Sequence, residues 1–441
     1  MIEGSAVEHT ALGNRMQFLD ALRGLAISCV VVQHSLELLY PAWAKFSLER
    51  FRLGEFGVVV FFLCSGFIIP ASLERQGSQA KFWIGRLFRL FPIYWFVVAA
   101  VLVLHFGFDK YPLSPEYIEH PVRSTLANAT MLQNFLSAPL ALGQSWSLAY
   151  ELVFYGLVSA MFVAALHRRA ALWSTAAFLA AMVINTRHVP TQALSQWGNR
   201  SAVITAVALA VVLGYVFWVT RDRGPQRWLS LGIAVAAVLL VLNRPETMST
   251  AMFFIGTLFF GTCLYRWSAG QMSGQRLAAL TTLAMVTIVV FWSTADIYWA
   301  PLPDGVTTRG FKSAEILTFG AAYIVFLVTL RFRSAKFPRP ILYLGTISYS
   351  LYLTHAIPIY AIGRVFDNRP LDALLWIVAA VALSGITYRL IEKPSIQLGR
   401  HITARLVGNQ TGRSSTVQDS IVRESNATVG VRVPEPPREP R

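Results

Sequence analysis

Along most of its 441 residues the chain repeats one pattern: an apolar run, a short polar or basic connection, then another apolar run. Most runs approach the ~20 residues that a helix needs to cross ~30 Å of hydrocarbon. Helices are the expected form, because hydrocarbon offers no partner to an unpaired backbone N–H or C=O. The runs fall at roughly 18–40, 55–74, 90–108, 146–166, 170–186, 201–220, 228–242, 250–265, 277–294, 314–330, 341–363 and 371–391. The pattern predicts an all-α, polytopic helical bundle with about 10–12 transmembrane helices, 170–186 and 228–242 being the short runs. Either even count puts both termini on one side of the membrane. Residues 1–17 read as a polar N-terminal segment, 18–394 as one transmembrane domain and 395–441 as a disordered tail. The tail is polar and ends VPEPPREP, a composition that cannot bury a core. The first run is too long for a signal-peptide core and lacks a small-residue cleavage site, so it is expected to remain as the first span.

Basic residues orient the bundle. With a cytoplasmic N-terminus, the inward connections (75–89, 167–169, 221–227, 266–276, 331–340) hold 15 Lys/Arg in 46 residues. The outward ones (41–53, 109–145, 187–200, 243–250, 295–313, 364–369) hold 12 in 97. The density is more than double on the inward side, which predicts cytoplasmic termini. The formal net charge of +15 is then a topological signal, and no nucleic-acid partner is expected. Composition agrees, with 55% hydrophobic and only 14% charged residues and a mean hydropathy of +0.50. Cys29, Cys64 and Cys263 all fall in apolar runs and read as small core residues. Residues 109–145 form a long outward loop, a length that often carries function.

Several polar residues interrupt the apolar runs. In QFLDALRGLAISCVVVQHSLELLY (17–40), Arg23 and His34 are eleven residues apart, three turns plus about 20°, and share a helix face. Asp20, three residues before Arg23, lies near that face. Such a stripe faces the bundle or a cavity, because charge in hydrocarbon is costly; a snorkelling Arg23 and a core His34 are the bland alternative. In FFLCSGF (61–67), Ser65 and Gly66 mark either a close helix crossing or a polar group at a cavity. In KFWIGRLFRLFP (81–92), Arg86 and Arg89 share a face at the inward side. There they grip phosphate or simply serve topology and lipid headgroups. Glu151, in QSWSLAYELVFYG (144–156), is an intramembrane carboxylate and a functional-site candidate by that fact alone. Trp146 reads as an interfacial anchor or a site residue, with Ser147 beside it. In ISYSLYLTHAIPIY (347–360), Ser348, Tyr352 and His355 share a face, for interhelical hydrogen bonds or for substrate.

Taken in order, LDALRG with Arg23-x10-His34, FFLCSGF, Arg86-x-x-Arg89, SWSLAYE, SYSLYLTH and IEKP (391–394) resemble the acyltransferase 3 family of integral membrane O-acyltransferases. These landmarks run from about residue 18 to 394. Cys64 stands where that family usually has an apolar residue, and the runs from 170 to 330 carry no matching motif. The resemblance implies transfer of an acyl group, acetyl in the first instance, from acyl-CoA (acetyl-CoA) approached from the cytoplasm. The acceptor is a hydroxyl of a carbohydrate or glycosylated compound. His34 is implied as general base, a role suited to an imidazole, with Arg23 and Glu151 beside it in the catalytic set. Arg86, Arg89 and Arg23 are implied for the donor, and Asp20, Ser65, Trp146, Ser147, Ser348, Tyr352 and His355 for substrate. No metal is implied. Membrane lipids are the surrounding partner and a bacterial inner membrane the expected place. Two other readings stay open: a proton-coupled transporter, and a succinyl or longer-chain transferase of the same family.

Overall fold

The computed structural model describes residues 3–184, 191–195, 226–294 and 302–405, and among these it contains helices and no strands. The helices in order are α1 (Glu3–Leu39), α2 (Pro41–Glu49), α3 (Leu53–Gln76), α4 (Gln79–Phe106), α5 (Pro115–Glu119), α6 (Pro121–Ala129), α7 (Trp146–Val163) and α8 (Ala170–Val183). Then follow α9 (Gln226–Leu242), α10 (Met248–Ser268), α11 (Gly274–Thr294), α12 (Thr308–Arg331), α13 (Arg339–Thr346), α14 (Ser348–Thr354), α15 (Ala356–Ile362) and α16 (Arg369–Thr387). Eight described segments are long and apolar enough to cross a membrane, and the chain is a polytopic helical membrane protein as expected. The run at 201–220 lies outside the described residues.

Two helices form the centre. In α3 78% of the apolar window is buried inside the protein and in α10 83%, against 33% in α4. The centre is tight because small residues let backbones touch. A Cβ added at Gly66 of α3 would sit 1.9 Å from the Leu258 carbonyl of α10, and one added at Gly261 would sit 2.5 Å from the Leu63 carbonyl. The same device joins α1 to α13, where a Cβ on Gly345 would lie 1.9 Å from the Asp20 carbonyl.

Two expectations are corrected in detail. The run 341–363 is three short helices rather than one span. Pro358 has no N–H for the Thr354 carbonyl, so the ladder breaks at His355. The helical segment expected to end near 394 continues through a π turn at Tyr388–Glu392 as far as Arg405. There Gly399 abuts Phe88 of α4, and that packing replaces disorder over 395–405; residues from 406 lie outside those described. At the other end, helix begins at Glu3, before the apolar run.

The 109–145 loop is folded. Asn128 donates to the carbonyls of Ser124 and Pro139 at 2.8 Å each and accepts from the Ala141 N–H at 2.9 Å. Asn134 and Tyr150 both donate to Glu246 in the turn between α9 and α10, at 2.9 and 3.0 Å. The loop is thus tied down over the N-terminal end of α7.

Candidate functional site

A narrow cavity with about 70 Å³ of free space opens between α1, α3, α4, α7 and α14. Its charged wall consists of Arg23 from α1, Arg86 and Arg89 from α4, and Glu151 from α7. The helical spacing that put Arg86 and Arg89 on one face turns both toward it. Ser65 reaches it because Gly66, one residue on, takes the contact with α10. Ser65 Oγ donates to Glu151 at 2.9 Å, and the Tyr155 hydroxyl donates to the same carboxylate oxygen. Arg86 is buried with its guanidinium 5.3 Å from the Tyr155 ring centroid and 5.5 Å from that of Phe82. Three guanidinium groups against one carboxylate leave the lining positive, suited to an anionic guest.

The end toward the C-terminus of α1 is closed by Tyr352. Its hydroxyl donates to the Gln144 carbonyl at 2.7 Å and lies 2.7 Å from Ser147 Oγ. Gln144 returns two bonds, to the carbonyls of Tyr352 (3.3 Å) and Leu353 (3.1 Å). Ser348 also lines the cavity; its hydroxyl is buried and, among the described residues, has no hydrogen-bond partner.

Beyond Tyr352 lies a pair of imidazoles. His34 and His355 stack with centroids 5.2 Å apart and planes 22° apart, and His355 lies 6.3 Å from the Tyr352 ring. His355 Nδ1 faces the carbonyls of Leu351 (3.1 Å) and Tyr352 (2.9 Å). Both are acceptors, so Nδ1 carries the proton and Nε2 keeps its lone pair. His34 is half-exposed, with Nδ1 3.5 Å from Glu37 Oε2. Gln33 braces Glu37 by donating to its other oxygen, and also donates to Ser47 Oγ at 2.7 Å. Next to Glu37, Arg52 bridges Glu55 and Glu315, tying the start of α3 to α12. Burial disfavours the Arg52 charge, but those two carboxylates hold the guanidinium above its ordinary value.

Eight sequence candidates thus share one cavity: Arg23, Ser65, Arg86, Arg89, Ser147, Glu151, Ser348 and Tyr352. His34 and His355 meet each other on its far side. Two candidates stand apart. Asp20 does not line the cavity and, among the described residues, makes no ion pair with Arg23; its charge reaches Arg23 and Arg89 only through space. Trp146, partly buried, packs among Phe62, Tyr150 and Phe254 against the core and does not line the cavity. Sequence reading missed Tyr155 and Glu37, although each is one helical turn from a residue already singled out, Glu151 and His34. The IEKP motif finds a structural role, since buried Glu392 accepts from Ser350 at 2.6 Å and ties the π turn after α16 to α14.

The profile of the acyltransferase 3 family, an acyltransferase domain, matches residues 16–389. Nodulation protein 10 of Rhizobium leguminosarum is 26% identical, over 91% of this chain and 98% of its own length. Acyltransferase MdmB of Streptomyces mycarofaciens is 24% identical over 87% of this chain and 92% of its own. The peptidoglycan O-acetyltransferase OatA of Listeria monocytogenes is 23% identical over 85% of this chain, which spans about half (55%) of that longer protein. No solved structure matches. The positive cavity lies inside the matched region, and the chain belongs to the acyltransferase 3 family of membrane acyltransferases.

Proposed function

We propose that this protein moves an acyl group, acetyl in the first instance, from acyl-CoA to a hydroxyl of a carbohydrate or glycosylated acceptor. The reading places it in a bacterial inner membrane with both termini cytoplasmic, as the basic connections favour. Support on the acceptor side comes from OatA, named for peptidoglycan, and from an exopolysaccharide production protein of Rhizobium meliloti, 25% identical over 82% of this chain.

The observation that carries the proposal is the order of groups along α1. Arg23 sits in the positive cavity and His34 about 16 Å further outward on the same face, with Tyr352 between the two compartments. The donor's phosphates meet Arg86, Arg89 and Arg23. Its pantetheine arm, about as long as four extended residues or ~14 Å, spans most of the way to the imidazoles. His34 takes the proton of the acceptor hydroxyl as the oxygen bonds to the thioester carbonyl carbon. The carbon–sulfur bond then breaks, and the proton passes to the departing thiolate. The products are an ester and the free thiol of CoA.

The test is transfer from radiolabelled acetyl-CoA by the purified protein in detergent, paired with mass spectrometry of envelope glycans from cells with and without it. The proposal expects label on a sugar and one added acetyl mass on the same sugar in cells. No transfer in detergent, with vectorial movement of a solute in vesicles, would mean a transporter instead. Transfer of a heavier acyl group would revise the donor only.

A further inference from the structure

The positive cavity is too small for the whole of an acyl-CoA. Its free space of about 70 Å³ falls well short of the ~300–1,000 Å³ of a pocket for a drug-sized ligand. A second cavity, of about 640 Å³, lies where α3, α7 and α10 end on the inward side. Its lining is Glu74, Phe162, His167, Arg168, Arg266 and Gln271. Glu74 is nine residues beyond Ser65 on α3, and Phe162 is seven beyond Tyr155 on α7. The second cavity therefore sits ~10–14 Å inward of the first, along the seam of the same two helices.

Its chemistry is built rather than incidental. Arg266 is held by both Glu74 oxygens and by Gln271 Oε1 at 2.5 Å, with its side chain only 7% exposed. The Nε–H of this fixed guanidinium is buried and, among the described residues, has no hydrogen-bond partner. His167 Nε2 lies 3.4 Å from Glu74. Burial keeps the His167 imidazole below its ordinary value, so the positive groups at neutral pH are Arg266 and the exposed Arg168.

We propose that this second cavity seats the phosphorylated adenosine head of the acyl-CoA donor. Its phosphate meets Arg168 at the mouth, and Arg266, its charge balanced by Glu74, offers its Nε–H as a fixed donor. The diphosphate then lies along the α3–α7 seam toward Arg86, Arg89 and Arg23, and the pantetheine arm runs outward from there. The inference rests on acyl-CoA being the donor, and size is what separates the two cavities.

The experiment compares acetyl-CoA with S-acetylpantetheine, which lacks the nucleotide, in the full-length protein. Arg168→Ala should raise the apparent KM for acetyl-CoA about tenfold, the loss of one charge-assisted contact, and shrink its advantage over acetylpantetheine by that factor. Arg266→Lys keeps the charge but not the fork and should act in the same direction. An advantage unchanged in both variants would overturn the nucleotide site while leaving acyl-CoA as donor. Failure of the wild type to use either donor would overturn the donor reading and this inference with it.

Discussion

His34 is not alone: its Nδ1 is 3.5 Å from Glu37, and its ring lies on His355. A carboxylate on Nδ1 orients an imidazole and supports the cation formed when Nε2 accepts a proton. Glu37→Gln keeps an oxygen at that place but removes its charge. It should lower kcat at least tenfold, within the ~10²–10⁴ that a general base contributes. The apparent KM for acetyl-CoA should stay unchanged, because the donor's phosphates are bound elsewhere. Wild-type kcat in Glu37→Gln would reduce the contact to a surface pair. In the positive cavity, Arg89→Lys should raise the KM for acetyl-CoA with little change in kcat, since lysine keeps the charge and loses the planar fork. Unaltered kinetics in both Arg86→Ala and Arg89→Ala would leave these arginines a topological role. Most residues of the site were legible one at a time, because a polar side chain in an apolar run stands out. What could not be read was that His34 and His355, 321 positions apart, stack face to face. Nor did the sequence give Asp20 its place outside the cavity, since one turn of helix separates neighbours that share a face only loosely.

Among elements, the α3–α10 and α1–α13 crossings depend on missing side chains. Gly66→Ala or Gly345→Ala would press a methyl group into a backbone carbonyl, which costs about 1–3 kcal/mol or forces the helices apart. Both should lower the unfolding temperature in detergent, and Gly85→Ala, with nothing near its Cβ, should not. Equal stability of all three variants would contradict the packing. Glu246, in the turn that anchors the long loop, gives a test in pH. Burial holds its carboxyl above the ordinary value of 4.5, although Asn134, Tyr150 and Arg244 pull the other way. The folded protein therefore binds this proton more tightly than the unfolded chain. The stabilisation is full below the ordinary value and is lost as pH rises through the raised one. Wild type should lose unfolding temperature relative to Glu246→Gln as pH rises from about 4 to about 7. A constant difference would remove Glu246 as the cause. The eight long spans could be read from apolar length, whereas the break at His355 needed the geometry of Pro358, and the helix to Arg405 depended on Gly399 meeting Phe88.

For the whole molecule, the proposed function joins one side that receives the donor to another that presents the acceptor. The order of motifs along the chain suggests that division, because the arginines cluster toward one end of the bundle and His34 toward the other. The sizes of the two cavities were not legible, since volume is set by how five or more helices lean together. The measurement that bears most directly on the account is single-turnover transfer from labelled acetyl-CoA by purified His34→Gln, with donor binding measured separately. Glutamine still hydrogen-bonds at that position but cannot take a proton at neutral pH. The account predicts turnover reduced by at least ~10² with donor affinity retained. Near-normal turnover would contradict it, and so would lost turnover accompanied by lost donor binding, which would make His34 a binding residue.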